Sequence, residues 1–474
     1  MIPNSTRRSA QATGSTLLVA MLTISTLSLA TAGFILTITS RSRVAFHSAS
    51  WQQASMAAES AASLAVVEIR RVLPEIVSLP TNGWTGWTSS TGVIPTSRLI
   101  PGGTVLSLVP APLVNGGEGN TTQTALVKLD APTGMLDSGG HQWLRVRAQG
   151  TTLVPGQRQI SPDKLDNRLR RLGFVRDATL GVLVTKPQVT RTLEMIVRPV
   201  LPFQAAILTG EEMDVDDRRS LVDSFDSSNP LYSTSGEYDS GKRKAGGTVL
   251  TNSSDFTFAG DIHGDVGTNG GAVAPAARIR GKIDNGFYQP TPVIAQPTSS
   301  GFAGGGILST LTAAAGTLAT PACYKLNALT GTLRITGGSQ PGAVEVWVTG
   351  DITGNIQVDA NVQAKVYVGG NLRMNGNSLR NDSRRAKNLQ LYALAPPAGQ
   401  TRRIELSLSD DIHAAIYAPA HAVEFTGNGD FMGSIVAKSL EARGKARFHF
   451  DEALKHTAGP IIDYKVASWI EVVR

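Results

Sequence analysis

The stretch LLVAMLTISTLSLATAGFILTI occupies residues 17–38 and contains twenty-two residues without a charge or a proline. Arg7 and Arg8 precede it, and Arg41 and Arg43 follow it. An α-helix rises about 1.5 Å per residue, so about 20 apolar residues can cross the hydrocarbon core of a bilayer. No other window of the sequence is as long and as apolar. We therefore predict a transmembrane helix here, which makes the rest of the chain an exported region.

The helical pattern continues beyond the apolar stretch. Small residues recur at helical spacing through Ala54, Ala58 and Ala62, and a proline follows shortly after the basic pair Arg70 and Arg71. Cations in a last turn and a proline beyond it are typical of a helix end. The sequence therefore predicts one helix whose first half lies in lipid and whose second half is amphipathic. We expect the many Thr and Ser hydroxyls of the first half to bond back to helix carbonyls.

A cleaved signal peptide is the alternative interpretation of this stretch. Ala30, Thr31 and Ala32 form an acceptable small-x-small cleavage site after a basic segment. Against cleavage, the apolar run continues to Ile38 and the helical pattern continues after that. We therefore favour an uncleaved helix, in which small residues such as Ala30 and Gly33 permit close approach of a neighbouring helix.

Composition indicates an all-β exported protein behind the helix. The chain has 474 residues, of which 17% are charged and 49 are glycine. Low charge with many small and polar residues fits a turn-rich β structure. The net charge of +7 comes from scattered cations, which argues against a nucleic-acid footprint. Cys323 is the only cysteine, so no internal disulfide can form, and we interpret it as a partly buried thiol in a turn.

Residues 13–22, TGSTLLVAML, place a glycine after a short basic segment and before a Leu- and Val-rich helix. They resemble the start of PilX-type minor pilins and related pseudopilins, in which a short basic leader ends in Gly before such a helix. Residues 53–61, QASMAAESA, resemble a later part of the same helix. The resemblance implies processing between Gly14 and Ser15.

The same resemblance implies assembly through the helix. The residues expected to take part are Val19, Ala30, Gly33 and Glu59. Most processed pilins carry Glu five residues after the leader glycine, and this chain has Val19 at that position.

The middle of the chain predicts a small head. Alternating apolar residues indicate strands near 126–129, 143–148 and 190–200. Ser161 followed by Pro162 is typical of a helix start, and Gly173 of a helix end. A helix among strands is compatible with a small α/β pilin-like head packed on the amphipathic half of the first helix.

A repeat begins near residue 249. Its unit has apolar residues at the first and third positions and any residue at the second and fourth. The fifth position is Gly, and a small or polar residue follows it. Copies start at Phe256, Val346 and Val366, and Ala415 and Ser434 begin a further pair nineteen residues apart. Short strands with sharp corners at near-constant spacing predict a solenoid in which each rung stacks on the last. This region also resembles, loosely, β-helical domains found beside PilX-like N-termini in bacterial envelope proteins. The stretches that carry this likeness include DSFDS at 223–227 and HFDEAL at 449–454.

The sequence contains no recognisable catalytic or metal-binding constellation. No histidine pair has metal-ligand spacing, and we predict no catalytic, cofactor-binding or metal-binding residues. Two polar sets are candidates for catalytic groups, and a structural role is favoured for both. They are Asp410, Asp411 and His413, and His449, Asp451 and Glu452. Acidic and amide residues that follow Gly are interpreted as turn residues rather than calcium ligands; they are Asp261, Asp265, Asp351 and Asn371.

We predict a mainly β protein with a long N-terminal transmembrane α-helix, a small α/β pilin-like head and a C-terminal right-handed β-helix. The predicted segments are a leader (1–15), a transmembrane and amphipathic helix (16–73), the head (74–205), the β-helical domain (206–457) and a C-terminal tail (458–474).

The predicted function is structural and non-enzymatic. We expect a single-pass inner-membrane protein with a periplasmic or extracellular C-terminal region, acting as a minor pilin-like component of a type IV pilus or type II secretion system. Expected partners are other pilin or pseudopilin subunits and the membrane, with surface glycans as a further candidate for adhesion and no nucleic acid. The alternatives are a secreted β-helical protein that binds or degrades carbohydrate, and a bactofilin-like self-assembling scaffold.

Overall fold

The architecture is taken from a computed structural model of the chain. It describes residues 10–71, 123–130, 135–136, 141, 143–153, 188–273, 278–294, 296–297, 302, 307–308, 311–374, 378–457 and 459–472. Within these residues one α-helix, α1, covers Ala10–Arg71 and is followed by β-strands and two short 3-10 helices, Ala386–Asn388 and Glu452–His456. The prediction that one continuous helix contains both the apolar and the amphipathic stretch is confirmed.

The described strands are numbered in chain order. They are β1 (Gln123–Asp130), β2 (Leu144–Leu153), β3 (Gln188–Val200), β4 (Ile207–Thr209), β5 (Met213–Val215), β6 (Leu221–Phe225), β7 (Val249–Thr251), β8 (Phe256–Phe258), β9 (Asp261–Ile262), β10 (Val266–Gly267), β11 (Ile283–Asp284), β12 (Ile307–Leu308), β13 (Leu311–Ala314), β14 (Gly316–Thr317), β15 (Ala322–Leu326), β16 (Ala328–Leu329), β17 (Thr332–Thr336), β18 (Gly342–Val348), β19 (Asn355–Val358), β20 (Val362–Val368), β21 (Leu372–Met374), β22 (Leu379–Asn381), β23 (Leu389–Ala393), β24 (Arg402–Leu408), β25 (Ile412–Gly427), β26 (Asp430–Arg443), β27 (Arg447–Asp451) and β28 (Asp463–Val472).

Four strands form an antiparallel sheet against α1. Their order is β1-β2-β3-β28, and all three pairings are antiparallel. The strands predicted near 126–129, 143–148 and 190–200 lie in β1, β2 and β3. β28 comes from the far end of the chain, so the C-terminal strand returns to the sheet that holds the N-terminal helix.

The remaining strands form a second unit, called the body, in which nearly all pairings are parallel. Val346 of β18 is in register with Val366 of β20, which is the predicted step of twenty residues. Ala415 of β25 is in register with Ser434 of β26, which is the predicted step of nineteen. The apolar side chains of these strands form one continuous buried core. The two predicted steps and the strands that carry them are therefore confirmed, whereas the copy at Phe256 pairs with Met213 of β5.

The corners between strands also stack. The Asp351 carboxylate accepts a hydrogen bond of 2.7 Å from the backbone N–H of Asn371, twenty residues later. Asp265 accepts one of the same length from the N–H of Lys282. Gly427, the last residue of β25, has φ of 104°, a conformation that favours glycine. The interpretation of Asp351 and Asp265 as turn residues agrees with these contacts.

The strands of the body do not all stack in chain order, so the predicted right-handed β-helix is wrong. A solenoid places each rung on the rung before it. Here the first strands of the body, β4 and β5, lie between β26 on one side and β7 and β8 on the other. β6 likewise lies between β27 and β9. The repeat predicts pairing between neighbouring copies, but its spacing does not indicate which ends of the array meet.

The predicted α/β head is also corrected. In the described residues it consists of α1 and an antiparallel sheet whose fourth strand, β28, lies outside the range 74–205. The helix predicted from Ser161 to Gly173 lies outside the described residues. The predicted domain boundaries stay predictions.

Candidate functional site in the exposed half of the helix

Helix α1 divides into two halves with different surroundings. Residues 17–49, called the exposed half, have exposed side chains wherever these are described, except for the half-buried Ser42. Leucines in this half are strongly exposed, with Leu29 at 73% and Leu36 at 71%. By length and composition α1 could cross a membrane, a property that a signal sequence near an N-terminus shares. The exposed half is therefore the candidate functional surface.

Threonine hydroxyl groups of the exposed half donate hydrogen bonds to backbone carbonyl groups of the same helix. Thr31 donates to the carbonyl of Leu27 at 2.7 Å, and Thr37 donates to that of Gly33 at 2.8 Å. Thr23 and Thr26 donate to carbonyls three and four residues before them. The predicted back-bonding is confirmed for these threonines, and it satisfies hydroxyl groups that would otherwise be costly in hydrocarbon.

The predicted site residues all lie on α1. Val19 and Ala30 are exposed, and a Cβ built on Gly33 would meet no atom within 4 Å. Glu59 is exposed in the second half, with its carboxylate 3.5 Å from the Ser55 hydroxyl. Gly14 and Ser15 lie within the first turns of α1. Their roles in processing and assembly stay predictions.

Residues 50–70, called the packed half, lie against the antiparallel sheet. A seam of small residues is buried there, namely Ala54, Ala57, Ala58, Ala61, Ala62 and Ala65. Gly150 of β2 faces this seam so closely that a Cβ on it would lie 2.0 Å from the Ala54 carbonyl oxygen. Because neither side of the contact has a large side chain, the helix backbone approaches the sheet directly.

Polar contacts fix both ends of the packed half. Near its start, the Arg191 guanidinium lies 3.8 Å from the centre of the Trp51 ring. At its end, Arg70 makes a two-pronged ion pair with the buried Asp463 of β28, with N–O distances of 2.6 and 3.1 Å. The C-terminal strand is thereby attached to the end of α1.

A second polar cluster lies buried in the body. His449 of β27 is 2% exposed, and its Nδ1 lies 2.5 Å from Asp223 of β6. Its Nε2 lies 3.4 Å from Asp430 of β26, which also pairs with Arg447. The Tyr238 ring stacks on the imidazole at 3.7 Å, and its hydroxyl donates to Asp223 at 2.8 Å. The two sequence stretches around residues 223 and 449 thus meet in space.

The charges in this cluster are balanced. Burial alone would lower the pKa of His449, but the carboxylates of Asp223 and Asp430 outweigh burial and raise it. Burial would raise the pKa of Asp430, but His449 and Arg447 hold it below its usual value. The geometry fits an imidazolium between two carboxylates. These contacts link strands β6, β26 and β27 through one imidazole.

The other residues of the two polar sets lie in turns, caps and ion pairs. Asp451 caps the 3-10 helix that follows it and accepts the N–H groups of Ser227 and Ala453 at 3.0 and 3.2 Å. The Glu452 carboxylate accepts a hydrogen bond of 2.5 Å from the Lys244 ammonium group. Asp410 and Asp411 are exposed at a turn. Burial lowers the pKa of the nearby His413 to about 4.

Sequence reasoning missed Asp430 and Tyr238 as members of the His449 cluster. Asp430 directly precedes the buried Phe431 at the start of β26, and a carboxylate at the start of an apolar strand is a usable signal of a buried pair. Tyr238 lies in the connection between β6 and β7, where no periodicity indicates its contact.

Comparisons with known proteins give a partial match. A family model described as a domain of unknown function (DUF7305) matches residues 309–457, which is less than half of the chain. No curated protein matches the chain. Among solved structures, the chain is similar to the competence-associated pilin ComZ from Thermus thermophilus, with 11% sequence identity over 89% of this chain and 98% of that chain and a TM-score of 0.25. A TM-score of this size carries no structural argument.

Proposed function

We propose that this chain is a membrane-anchored structural protein of the cell envelope that uses the exposed half of α1 as its anchor and displays the body outside the membrane. The observation that carries this proposal is the contrast in burial along one continuous helix. Exposed apolar side chains cover residues 17–38, while the alanine seam of residues 54–65 is buried. A water-soluble protein would leave that first surface in contact with water at a large cost in free energy.

The same contrast argues against removal of the helix as a signal peptide. Cleavage after Ala32 would leave Phe34, Ile35 and Leu36 exposed at the new N-terminus, with exposed fractions of 67, 57 and 71%. A secretory signal peptide spans about 15–30 residues, whereas this helix continues without a break from Ala10 to Arg71. An uncleaved anchor keeps those side chains in lipid.

We further propose that the anchor assembles with other helices as a minor pilin-like subunit of a type IV pilus or type II secretion system. The resemblance of residues 13–22 and 53–61 to PilX-type pilins supports this. Ala30 and Gly33 leave the helix backbone open to a neighbour, since nothing lies within 4 Å of a Cβ on Gly33. The chain would then be a single-pass protein of the inner membrane with a structural role and no enzymatic activity.

The assembly part of the proposal is tested by photo-crosslinking in membranes. The Cys323→Ser variant removes the only native thiol, and Gly33→Cys then carries a benzophenone maleimide label. We expect light to link this position to a pilin-type subunit or to a second copy of the chain, identified by mass spectrometry. Leu231→Cys, on a residue 75% exposed in the body, is the matched control and should give no such adduct. Labelled lipid without any protein adduct at Gly33 would contradict assembly through this face.

A further inference from the structure

A cleft of about 530 Å³ lies where the antiparallel sheet meets the body. One wall is formed by the end of β3 with Arg198 and by Lys465 of β28, and the other by Lys455 of the 3-10 helix Glu452–His456. Apolar side chains, including Leu136 and Pro199, complete the lining. The space is large enough for a small molecule of the size of a sugar phosphate.

The lining of this cleft is basic. It contains Arg198, Lys455, Lys465 and His456, and none of its residues is Asp or Glu. Arg198 and Lys465 are direct register partners across β3 and β28. Like charges directly opposite each other on neighbouring strands are destabilising. The pair therefore costs free energy in the absence of an anion between or above the two side chains.

The carboxylates near the cleft are paired with other cations. Asp463 is bound on both oxygens by Arg70. Glu452 lies 2.5 Å from Lys244, while Lys455 is 4.0 Å away from the same oxygen. In the described part of the chain Arg198 has no ion-pair partner. Burial lowers the pKa of Lys465; the carboxylate of Asp463 opposes this shift, and the cations Arg198 and Arg70 add to it. The positive charge in the cleft is thus only partly neutralised by the protein.

We propose that this cleft binds the phosphate or carboxylate group of a small anionic ligand, with Arg198 and Lys465 as its main contacts. A guanidinium matches the two oxygens of such a group in a bidentate geometry, and a lysine adds a point charge. Lys455, from the 3-10 helix Glu452–His456, contributes a third cation to the lining. The inference is independent of the proposed anchor and assembly function.

The test measures thermal unfolding of the full-length protein in detergent, at constant ionic strength, with inorganic phosphate or glucuronate exchanged for chloride. A ligand that binds the folded state raises the unfolding midpoint with its concentration. We expect phosphate or glucuronate to raise it, and the better of the two identifies the source of the anionic group. Arg198→Gln is expected to weaken binding about tenfold or more, and Arg198→Lys to retain part of it.

Two controls separate binding from a structural role. Without added anion, Arg198→Gln should be at least as stable as the wild type, because it removes the repulsion with Lys465. Arg403→Gln alters another basic cleft, one in which Lys438 already pairs with Glu211 at 3.5 Å, and should leave the anion effect unchanged. Equal midpoint shifts in wild type and Arg198→Gln, or no shift with either anion, would overturn the proposal.

Discussion

The two halves of α1 use small residues in opposite ways. In the packed half, the alanine seam faces Gly150 so closely that a Cβ there would lie 2.0 Å from the backbone of Ala54. In the exposed half, a Cβ on Gly33 would meet nothing within 4 Å. Both halves are rich in small residues, yet only the packed half uses them for a close contact within the molecule. The comparison indicates that the exposed half is built for contacts with lipid or another chain.

The largest expected effect comes from filling the completed contact. Gly150→Val places three carbon atoms where the α1 backbone lies, so the helix must move away from β2. We expect the free energy of unfolding to fall by more than about 3 kcal/mol, since overpacking against backbone cannot be relieved by a rotamer change. Urea unfolding of the full-length protein in detergent measures this loss.

Gly33→Val is the matched control for that substitution. It lies in the same helix, adds the same side chain and meets open space. We expect a change within about 0.5 kcal/mol, because a single glycine replaced on an uncovered helix surface has small effects. A loss of similar size in both variants would mean that the exposed half is also packed within the molecule, and the comparison would fail.

The body and the exposed half should also differ in how acid affects stability, and this effect is smaller. Burial, with a contribution from Arg402, lowers the pKa of the fully buried His421 to about 4. The folded pKa is then below the unfolded value of about 6.5, so stability is full above pH 6.5 and is lost as the pH falls toward 4. At pH 5 the loss is about 2 kcal/mol.

His421→Leu should remove that loss. We expect its stability difference between pH 7 and pH 5 to be about 2 kcal/mol smaller than that of the wild type, measured by urea unfolding at both pH values. His449 does not cancel the effect, because its raised pKa gives a contribution that is complete below pH 6.5 and is lost only as the pH rises. The control His47→Leu changes an exposed histidine in the exposed half and should behave as the wild type does. An unchanged pH dependence in His421→Leu would refute the assignment.

The sequence predicts the local features of this protein well. The charge-free run ending at Ile38 indicates the exposed half, and the spacing of Ala54, Ala58 and Ala62 indicates the packed half. The pairing of Val346 with Val366 also follows from the repeat, because side chains that alternate at a constant step stack on equivalent positions. In each case the signal lies within a few residues or within one repeat length.

The global features could not be predicted in the same way. The pairing of β28 with β3 joins residues more than 260 positions apart, and the insertion of β4 between β26 and β7 depends on how the whole body closes. The His449 cluster combines three strands that no local pattern connects. Such contacts depend on which strand edges remain free after local pairing, and that is a property of the complete chain.

The most direct test of the account is the mass and location of the native protein. Membranes are washed with alkaline carbonate, and the intact mass of the retained chain is determined. We predict that the protein stays in the membrane fraction with residues 17–38 intact, whether or not a leader ending at Gly14 has been removed. A mature chain that begins at Gly33, after cleavage behind Ala32, and is recovered in the soluble fraction would contradict the proposed anchor.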